Sequence, residues 1–255
     1  MLPLPPPYVG ITGIMQPDDT SGALEYFERP ETYKLMVGVL ASKTTLLGNP
    51  PSNPNRYPPK DVIRHLFLDD DRLLNLIHYN TSDLDTLSGQ LEEMRWHAGP
   101  NCHGFQLNIP WPDPAAIKTH LKMRPGSTIV LQVGPRAFER IDHSPFLLTR
   151  RLQEYIGLAQ YVLLDASGGT GRLLSPESLL QYLATAYHHG LNNHFRFVIA
   201  GGLSGANLYH ARPLIAQYPN LSIDAEGGLR NKNDRLFPPA VMQYLEACWR
   251  EGLLS

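Results

Sequence analysis

Three glycine-rich turns in the second half of the chain constrain its fold more than any other feature. The turns lie at residues 168–171, 201–202 and 227–228, shortly after apolar β-like runs at 161–164, 195–199 and 221–223. Because glycine has no Cβ, a ligand can approach the backbone amides of such turns closely. These amides, together with the positive end of a following helix, favour anions. Three such turns in sequence order predict one phosphate site above the ends of neighbouring strands.

The order of the secondary-structure signals predicts a barrel. Short β-like runs alternate with helical patterns, and eight strands are expected, at residues 8–14, 34–41, 64–68, 104–109, 127–133, 161–165, 195–200 and 221–224. Alternating strands and helices need parallel strands, and eight such units close most readily into a single-domain (β/α)8 TIM barrel over residues 1–255. A doubly wound open sheet is the alternative. In both folds the ligand lies beyond the carboxyl ends of the strands.

Two proline-rich segments stand outside this pattern. Residues 1–7 carry four prolines and are expected to form an extended lead-in, because proline has no N–H for a sheet ladder. Residues 48–60 carry five prolines and are expected to form a long loop after the second strand. Long loops in compact domains often cover or bind ligands.

Composition narrows the class of partner. The formal net charge is −2 and the basic residues are not clustered, so we expect neither a nucleic-acid nor a membrane partner. Cys102 and Cys248 are far apart and no spacing specifies a metal site, so no disulfide, metal or cofactor is expected. These features, with no secretory signal at the amino end, predict a cytoplasmic monomer or homodimer that binds a small phosphorylated molecule.

Several segments carry family motifs in the order of the expected strands. They are GITGIMQPDD at 10–19, NRY at 55–57, QLN at 106–108, LDASGGTG at 164–171, AGGLSGAN at 200–207 and IDAEGG at 223–228, the last followed by Lys232 and Asp234. In these motifs the chain resembles the phosphoribosylanthranilate isomerase family of tryptophan biosynthesis. The resemblance spans nearly the whole chain and implies a (β/α)8 barrel.

The resemblance also implies roles for the matching residues. Asp165 would be the general acid that protonates the ribose ring oxygen, and Arg56 would hold the anthranilate carboxylate. Gln106 and Asn108 match a substrate-binding motif, while Gln132 is a substrate-binding candidate from its position near the end of the fifth strand. The phosphate would be cradled by the residues of the three turns, namely Gly168, Gly169, Thr170, Gly171, Gly201, Gly202, Gly227 and Gly228.

The first strand departs from the family pattern at the catalytic base. Thr12 stands where the family has a cysteine. A thiol has a reference pKa of about 8.5, whereas an aliphatic hydroxyl does not ionise near neutrality. Thr12 therefore cannot remove the substrate C2 proton unaided. Asn108 replaces a histidine of the family, and Ala225 and Glu226 replace serines, so a changed substrate or chemistry is expected.

Other polar residues offer alternatives. One of Asp69, Asp70 and Asp71 could replace the missing base if the third strand ends there, although a solvated turn is the simpler interpretation. Asp165 could cap its own turn, and Lys43 is the one candidate for an aldolase lysine. His188, His189 and His194 precede the seventh strand and are expected at the end of the barrel opposite the site.

The sequence therefore leaves three functions open. The leading hypothesis is aldose–ketose (Amadori-type) isomerisation of a phosphorylated sugar derivative, with Asp165 and the Thr12 position at its catalytic centre. A phosphosugar lyase or epimerase is the second hypothesis. A phosphometabolite-binding protein without catalysis is the third.

Overall fold

The computed structural model describes residues 4–27, 32–165 and 176–254. The strands are β1 (Tyr8–Thr12), β2 (Lys34–Ser42), β3 (Leu73–Asn80), β4 (Gly104–Leu107), β5 (Thr128–Val133), β6 (Tyr161–Leu164), β7 (Arg196–Ala200) and β8 (Ser222–Ala225). The α-helices of these ranges are α1 (Pro17–Leu24), α2 (Lys43–Leu46), α3 (Lys60–Ile63), α4 (Leu87–Ala98), α5 (Pro114–Met123), α6 (Pro135–Glu139), α7 (Pro145–Gln153), α8 (Pro176–His188), α9 (Arg212–Gln217) and α10 (Pro238–Arg250). None of the described helices has the length and apolar character that crossing a bilayer requires.

The strands form a closed barrel in sequence order. Each strand pairs in parallel with the next, and β8 returns to pair with β1. Helices lie between successive strands and cover the outside of the barrel. The predicted (β/α)8 barrel is confirmed, and the open-sheet alternative is wrong.

The third strand was predicted in the wrong place. Residues 64–68, expected as strand three, follow α3 and form a turn, whereas β3 spans Leu73–Asn80. The apolar triplet Leu66, Phe67 and Leu68 imitates a short strand, but two of its side chains are buried in the outer core. Periodicity alone cannot separate such a run from a strand. Asp69, Asp70 and Asp71 consequently precede β3 and lie at its amino end.

Proline and capping residues set several helix starts. Asp113 accepts a hydrogen bond from the backbone N–H of Ala115 at the start of α5, and Ser144 accepts one from that of Leu147 at the start of α7. A proline follows each cap at the first helical position, where its missing N–H costs nothing. The proline-rich segment at 48–60 connects α2 to α3, which begins at Lys60.

The barrel interior is apolar at depth and polar near the carboxyl ends of the strands. Alternate residues along a strand point inward, and the inward side chains of the lower barrel form a separate apolar cluster. Its members are Tyr8, Met36, Leu74, Leu76, Val130, Tyr161, Leu163 and Val198. The next inward positions carry polar side chains, and these form the floor of the site.

Candidate active site

One large cavity opens at the carboxyl ends of the strands. It has a volume of about 1040 Å³ and is bounded by residues that follow β2 to β8. Its lining includes Arg56, His78, Gln106, Asn108, Gln132, Asp165, Gly201, Gly202, Asp224, Glu226 and Gly227. The structure thus brings most of the described candidate site residues to one place.

A buried polar contact at the floor of the cavity joins the first and last strands. Thr12 Oγ1 donates to the Asp224 carboxylate, at 3.0 Å from Oδ1 and 3.3 Å from Oδ2. Thr12 is fully buried and is not among the lining residues, whereas Asp224 lines the cavity with 5% of its surface exposed. Thr12 therefore reaches a ligand only through Asp224.

Two glycines make room for this contact. A Cβ on Gly38, the neighbour of Thr12 across β1 and β2, would lie 2.5 Å from Thr12 Oγ1. A Cβ on Gly10, the neighbour of Asp224 across β1 and β8, would lie 2.7 Å from Asp224 Oδ1. Side chains at either position would displace the pair, so its depth in the barrel depends on both glycines.

A chain of amide hydrogen bonds connects Asp224 to Asp165. Gln106 Nε2 lies 3.4 Å from Asp224 Oδ2 and 3.2 Å from Gln132 Oε1, donating toward both. Gln132 Nε2 in turn donates to Asp165 Oδ2 at 3.1 Å. The two carboxyl groups thus share one buried polar network at the ends of β4, β5, β6 and β8.

The environment of Asp224 shifts the pKa of its carboxyl group toward neutrality. Burial raises the pKa of Asp224 to about 7, the hydrogen bond from Thr12 opposes this rise, and the negative charge of Glu226 adds to it. The amide of Gln106 lowers this pKa, and the charge of Asp165 raises it. A carboxyl group with a pKa near the working pH can both accept and donate a proton efficiently.

His78 occupies the β3 side of the cavity, beside Gln106 in the β3–β4 register. The side chain is 8% exposed, and neither ring nitrogen completes a hydrogen bond with the described residues, although Gln132 approaches the ring. Burial lowers the pKa of His78 below its usual value, against the opposing charges of Glu226 and Asp165. The ring is therefore neutral at pH 7.

The glycine turns after β7 and β8 lie side by side. Gly201 and Gly202 have φ values of 109° and 65°, which favour glycine, and both line the cavity. Gly227 starts a short 3-10 helix and also lines the cavity. Gly228 instead serves packing, because a Cβ there would lie 2.1 Å from the carbonyl oxygen of Leu203. Gly168, Gly169, Thr170 and Gly171 lie outside the described residues.

Arg56 reaches the cavity, but it is held by carboxylates of the chain. Its Nε and Nη2 each donate to the Asp234 carboxylate at 2.7 Å, and its Nη1 donates to Glu226 Oε1 at 2.9 Å. Asn53 also donates to Asp234. These contacts fasten the 48–60 segment to the turn after β8. A substrate carboxylate at Arg56 would have to compete with Glu226.

Arg230 completes a charge-balanced cluster with these residues. Its guanidinium is almost fully buried, with Nη2 3.6 Å from Glu226 and Nε 3.9 Å from Asp234. Two arginines and two carboxylates therefore neutralise one another beside the cavity. Glu226, a departure from the family motif, occupies a position that two guanidinium groups stabilise.

The other sequence candidates lie elsewhere or are already engaged. Asp69, Asp70 and Asp71 lie at the amino end of β3, opposite the cavity, so the proposal that one of them replaces the base is wrong. Asp70 also accepts a hydrogen bond from Arg72, which lowers the pKa of its carboxyl group to about 2. Lys43 lines the cavity but forms an ion pair with Asp83. His188, His189 and His194 precede β7 at the amino end of the barrel.

Among residues 4–27, 32–165 and 176–254, no three His, Cys, Asp or Glu side chains gather as a metal site requires. Cys102 is buried before β4, and burial raises the pKa of its thiol to about 11, so it is not a reactive thiolate.

Sequence reasoning missed two residues of the site. Asp224 was noticed only as part of a motif, although a carboxylate that ends a buried strand before glycines is the same signal that identified Asp165. His78 was missed because β3 was placed too early in the chain. With β3 at its true position, His78 is an inward residue directly opposite Gln106 in the β3–β4 register.

Comparison with known proteins supports the fold. Neither a protein-family model nor a curated protein sequence matches the chain. The phosphoribosylanthranilate isomerase structure from Thermotoga maritima aligns with 95% of this chain and 98% of its own, at 16% identity and a TM-score of 0.61. The phosphoribosylanthranilate isomerase structure from Thermus thermophilus has 16% identity and a TM-score of 0.60. The N-(5'-phosphoribosyl)anthranilate isomerase from Pyrococcus furiosus has 17% identity and a TM-score of 0.59. Both alignments cover 95% of this chain and 98% of the other. The chain therefore resembles the phosphoribosylanthranilate isomerases in motifs and has their (β/α)8-barrel fold along nearly its whole length.

Proposed function

We propose that the chain binds a phosphorylated ribose derivative and catalyses its aldose–ketose (Amadori-type) isomerisation, with Asp165 as general acid and Asp224 as general base. The observation that carries the proposal is that both carboxyl groups line one cavity and are joined through Gln106 and Gln132. Two carboxyl groups on one polar network suit a reaction that adds one proton to the substrate and removes another.

The proton balance assigns one step to each carboxyl group. Asp165 gives its proton to the ribose ring oxygen, the C1–O bond breaks, and the nitrogen lone pair forms the C1=N bond of an open-chain iminium ion. Asp224 then takes the C2 proton, and the C–H electron pair forms the C1=C2 bond while the C1=N electrons return to nitrogen. The enolamine tautomerises to the ketose. A proton passing through solvent from Asp224 to Asp165 closes the cycle.

Thr12 acts in this scheme as a positioning residue for Asp224. Its hydroxyl donates to the carboxylate and so stabilises the ionised form that the base needs. The chain thus supplies a carboxylate from β8 where the family resemblance implies a thiol on β1. We therefore expect Thr12→Cys to give no gain in rate, because the nearby Asp224 carboxylate disfavours a thiolate.

The phosphate of the substrate is assigned to the paired turns after β7 and β8. Gly201, Gly202 and Gly227 face the cavity there, and backbone amides free of a Cβ suit an oxyanion. The resemblance adds residues 168–171 to this set. The group on the substrate nitrogen would extend toward β2, where Glu226 already neutralises Arg56.

The experiment is direct. Purified protein is mixed with phosphoribosylanthranilate, and anthranilate-type fluorescence is followed. We expect it to fall, and we expect Asp165→Asn and Asp224→Asn to abolish the change while both variants still bind ribose 5-phosphate. Binding without turnover in the wild-type protein would refute catalysis of this substrate and favour a phosphometabolite-binding protein. Turnover that survives Asp224→Asn would refute the assignment of the base.

A deuterium label at C2 separates the two roles. A slowed variant with a conservative change at the base, Asp224→Glu, should show an increased C2 isotope effect because proton removal becomes rate-limiting. Asp165→Glu should instead slow ring opening and mask the isotope effect. The opposite pattern would exchange the two roles.

A further inference from the structure

Three buried polar atoms on the β3–β4 side of the cavity complete no hydrogen bond with the described residues. They are Nδ1 and Nε2 of His78 and Oε1 of Gln106. The two residues are neighbours in the β3–β4 register and both line the cavity. Because an unpaired buried polar group costs free energy, atoms of this kind are normally paired in the functional state.

We propose that His78 and the side-chain oxygen of Gln106 bind adjacent hydroxyl groups of a phosphorylated sugar. The inference rests on the proposed function for the phosphate, and it adds the part of the site that recognises the sugar. No sequence motif assigns a role to His78.

The donor and acceptor pattern selects hydroxyl groups over other ligand chemistries. A neutral imidazole offers one N–H donor and one acceptor nitrogen, and Gln106 Oε1 is an acceptor. A hydroxyl group both donates and accepts, so two neighbouring hydroxyls can satisfy all three atoms. An anion would meet the acceptor oxygen of Gln106 and the negative charges of Asp165 and Glu226, both of which act on the His78 ring. An apolar group would leave the three atoms unpaired.

The position also fits the rest of the site. Gln106 donates to Asp224 through its amide nitrogen, so its oxygen can accept a hydrogen bond from a ligand at the same time. Hydroxyl groups that contact His78 and Gln106 would therefore place the sugar carbons beside the carboxyl group proposed as the base. His78 would orient the sugar and would carry no proton in the reaction.

The test uses the wild-type protein with isotopically labelled histidine and two probes, inorganic phosphate and ribose 5-phosphate. The NMR signal of His78 is identified by its absence in His78→Asn. We expect ribose 5-phosphate to shift this signal while the ring remains neutral, and phosphate to leave it nearly unchanged. Binding of ribose 5-phosphate without a change at His78 would overturn the inference and leave the proposed phosphate site intact. Failure of both probes to bind would refute the proposed function and this contact together.

Affinity measurements give a second readout. His78→Asn should weaken ribose 5-phosphate binding about 2- to 13-fold for each hydrogen bond lost, with no change for inorganic phosphate. His65→Asn, at an exposed position after α3, is the matched control and should change neither affinity. An equal loss for both probes in His78→Asn would indicate a structural role and overturn the inference.

Discussion

Replacing Asp224 with asparagine should stabilise the protein, and by an amount that depends on pH. The carboxyl has a pKa of about 7 in the folded chain against an ordinary value of 3.8. The folded state therefore binds this proton more tightly than the unfolded state, and the stability that the proton contributes is complete below pH 3.8 and lost as pH rises to 7. At about 1.4 kcal/mol for each pKa unit, the full loss is about 4 kcal/mol.

Most of this loss of folding stability falls in a pH range where unfolding can be measured. The linkage relation assigns about 3 kcal/mol of it to the interval from pH 4.5 to pH 8. Urea unfolding of the wild-type protein and Asp224→Asn across this interval gives the difference directly. The asparagine variant should gain on the wild type as pH rises and reach a plateau above pH 7. Asp113→Asn, which keeps a helix cap at an exposed position, shows the effect of removing one surface carboxylate.

Two results would refute the reasoning. A difference between wild type and Asp224→Asn that is constant from pH 4.5 to pH 8 would mean that burial does not perturb this carboxyl. The same titration should appear in catalysis, because only the ionised base accepts a proton. The second refuting result would be a kcat/KM that does not rise through about pH 7.

Two further changes test the neighbouring parts of the site. Gly228→Ala should destabilise the fold by about 1–3 kcal/mol, because its Cβ would meet the Leu203 carbonyl, and should lower phosphate affinity by displacing the turn. Gly227→Ala, whose Cβ would meet nothing within 4 Å, is the matched control for folding. Equal destabilisation of the two variants in urea unfolding would contradict the packing argument. Glu226→Gln should release only Nη1 of Arg56, because Asp234 still holds Nε and Nη2. We expect it to raise affinity about tenfold for a phosphoribosyl ligand that carries an anthranilate carboxylate, with no change for ribose 5-phosphate. Isothermal calorimetry with both ligands tests this, and an equal change in the two affinities would contradict it.

The fold could be predicted from local patterns because each barrel unit repeats the same signals. Glycine turns after apolar runs located β6, β7 and β8 and the end of the barrel that carries the cavity. The place of β3 could not be predicted because Leu66 and Phe67 are buried in the outer core and give the apolar pattern of a short strand. As a result, His78 was not recognised as a residue of the site.

The charges of the site were less accessible from the sequence than its location. Glu226 was identified only as a departure from the family motif, because its partners Arg56 and Arg230 come from segments that only the folded chain brings together. Likewise, the raised pKa of Asp224 depends on burial between β1 and β8, which no local pattern encodes. Motifs identify such residues, but long-range contacts determine their protonation and their partners.

The Thr12–Asp224 hydrogen bond spans 212 positions of the chain and joins the first strand of the barrel to its last. During synthesis on the ribosome, a chain that has emerged as far as β7 lacks the proposed base and has no partner for Thr12. Catalytic activity would thus appear only when β8 pairs with β1 and closes the barrel. Fragments of the barrel should consequently be inert, and turnover would serve as a reporter of complete folding.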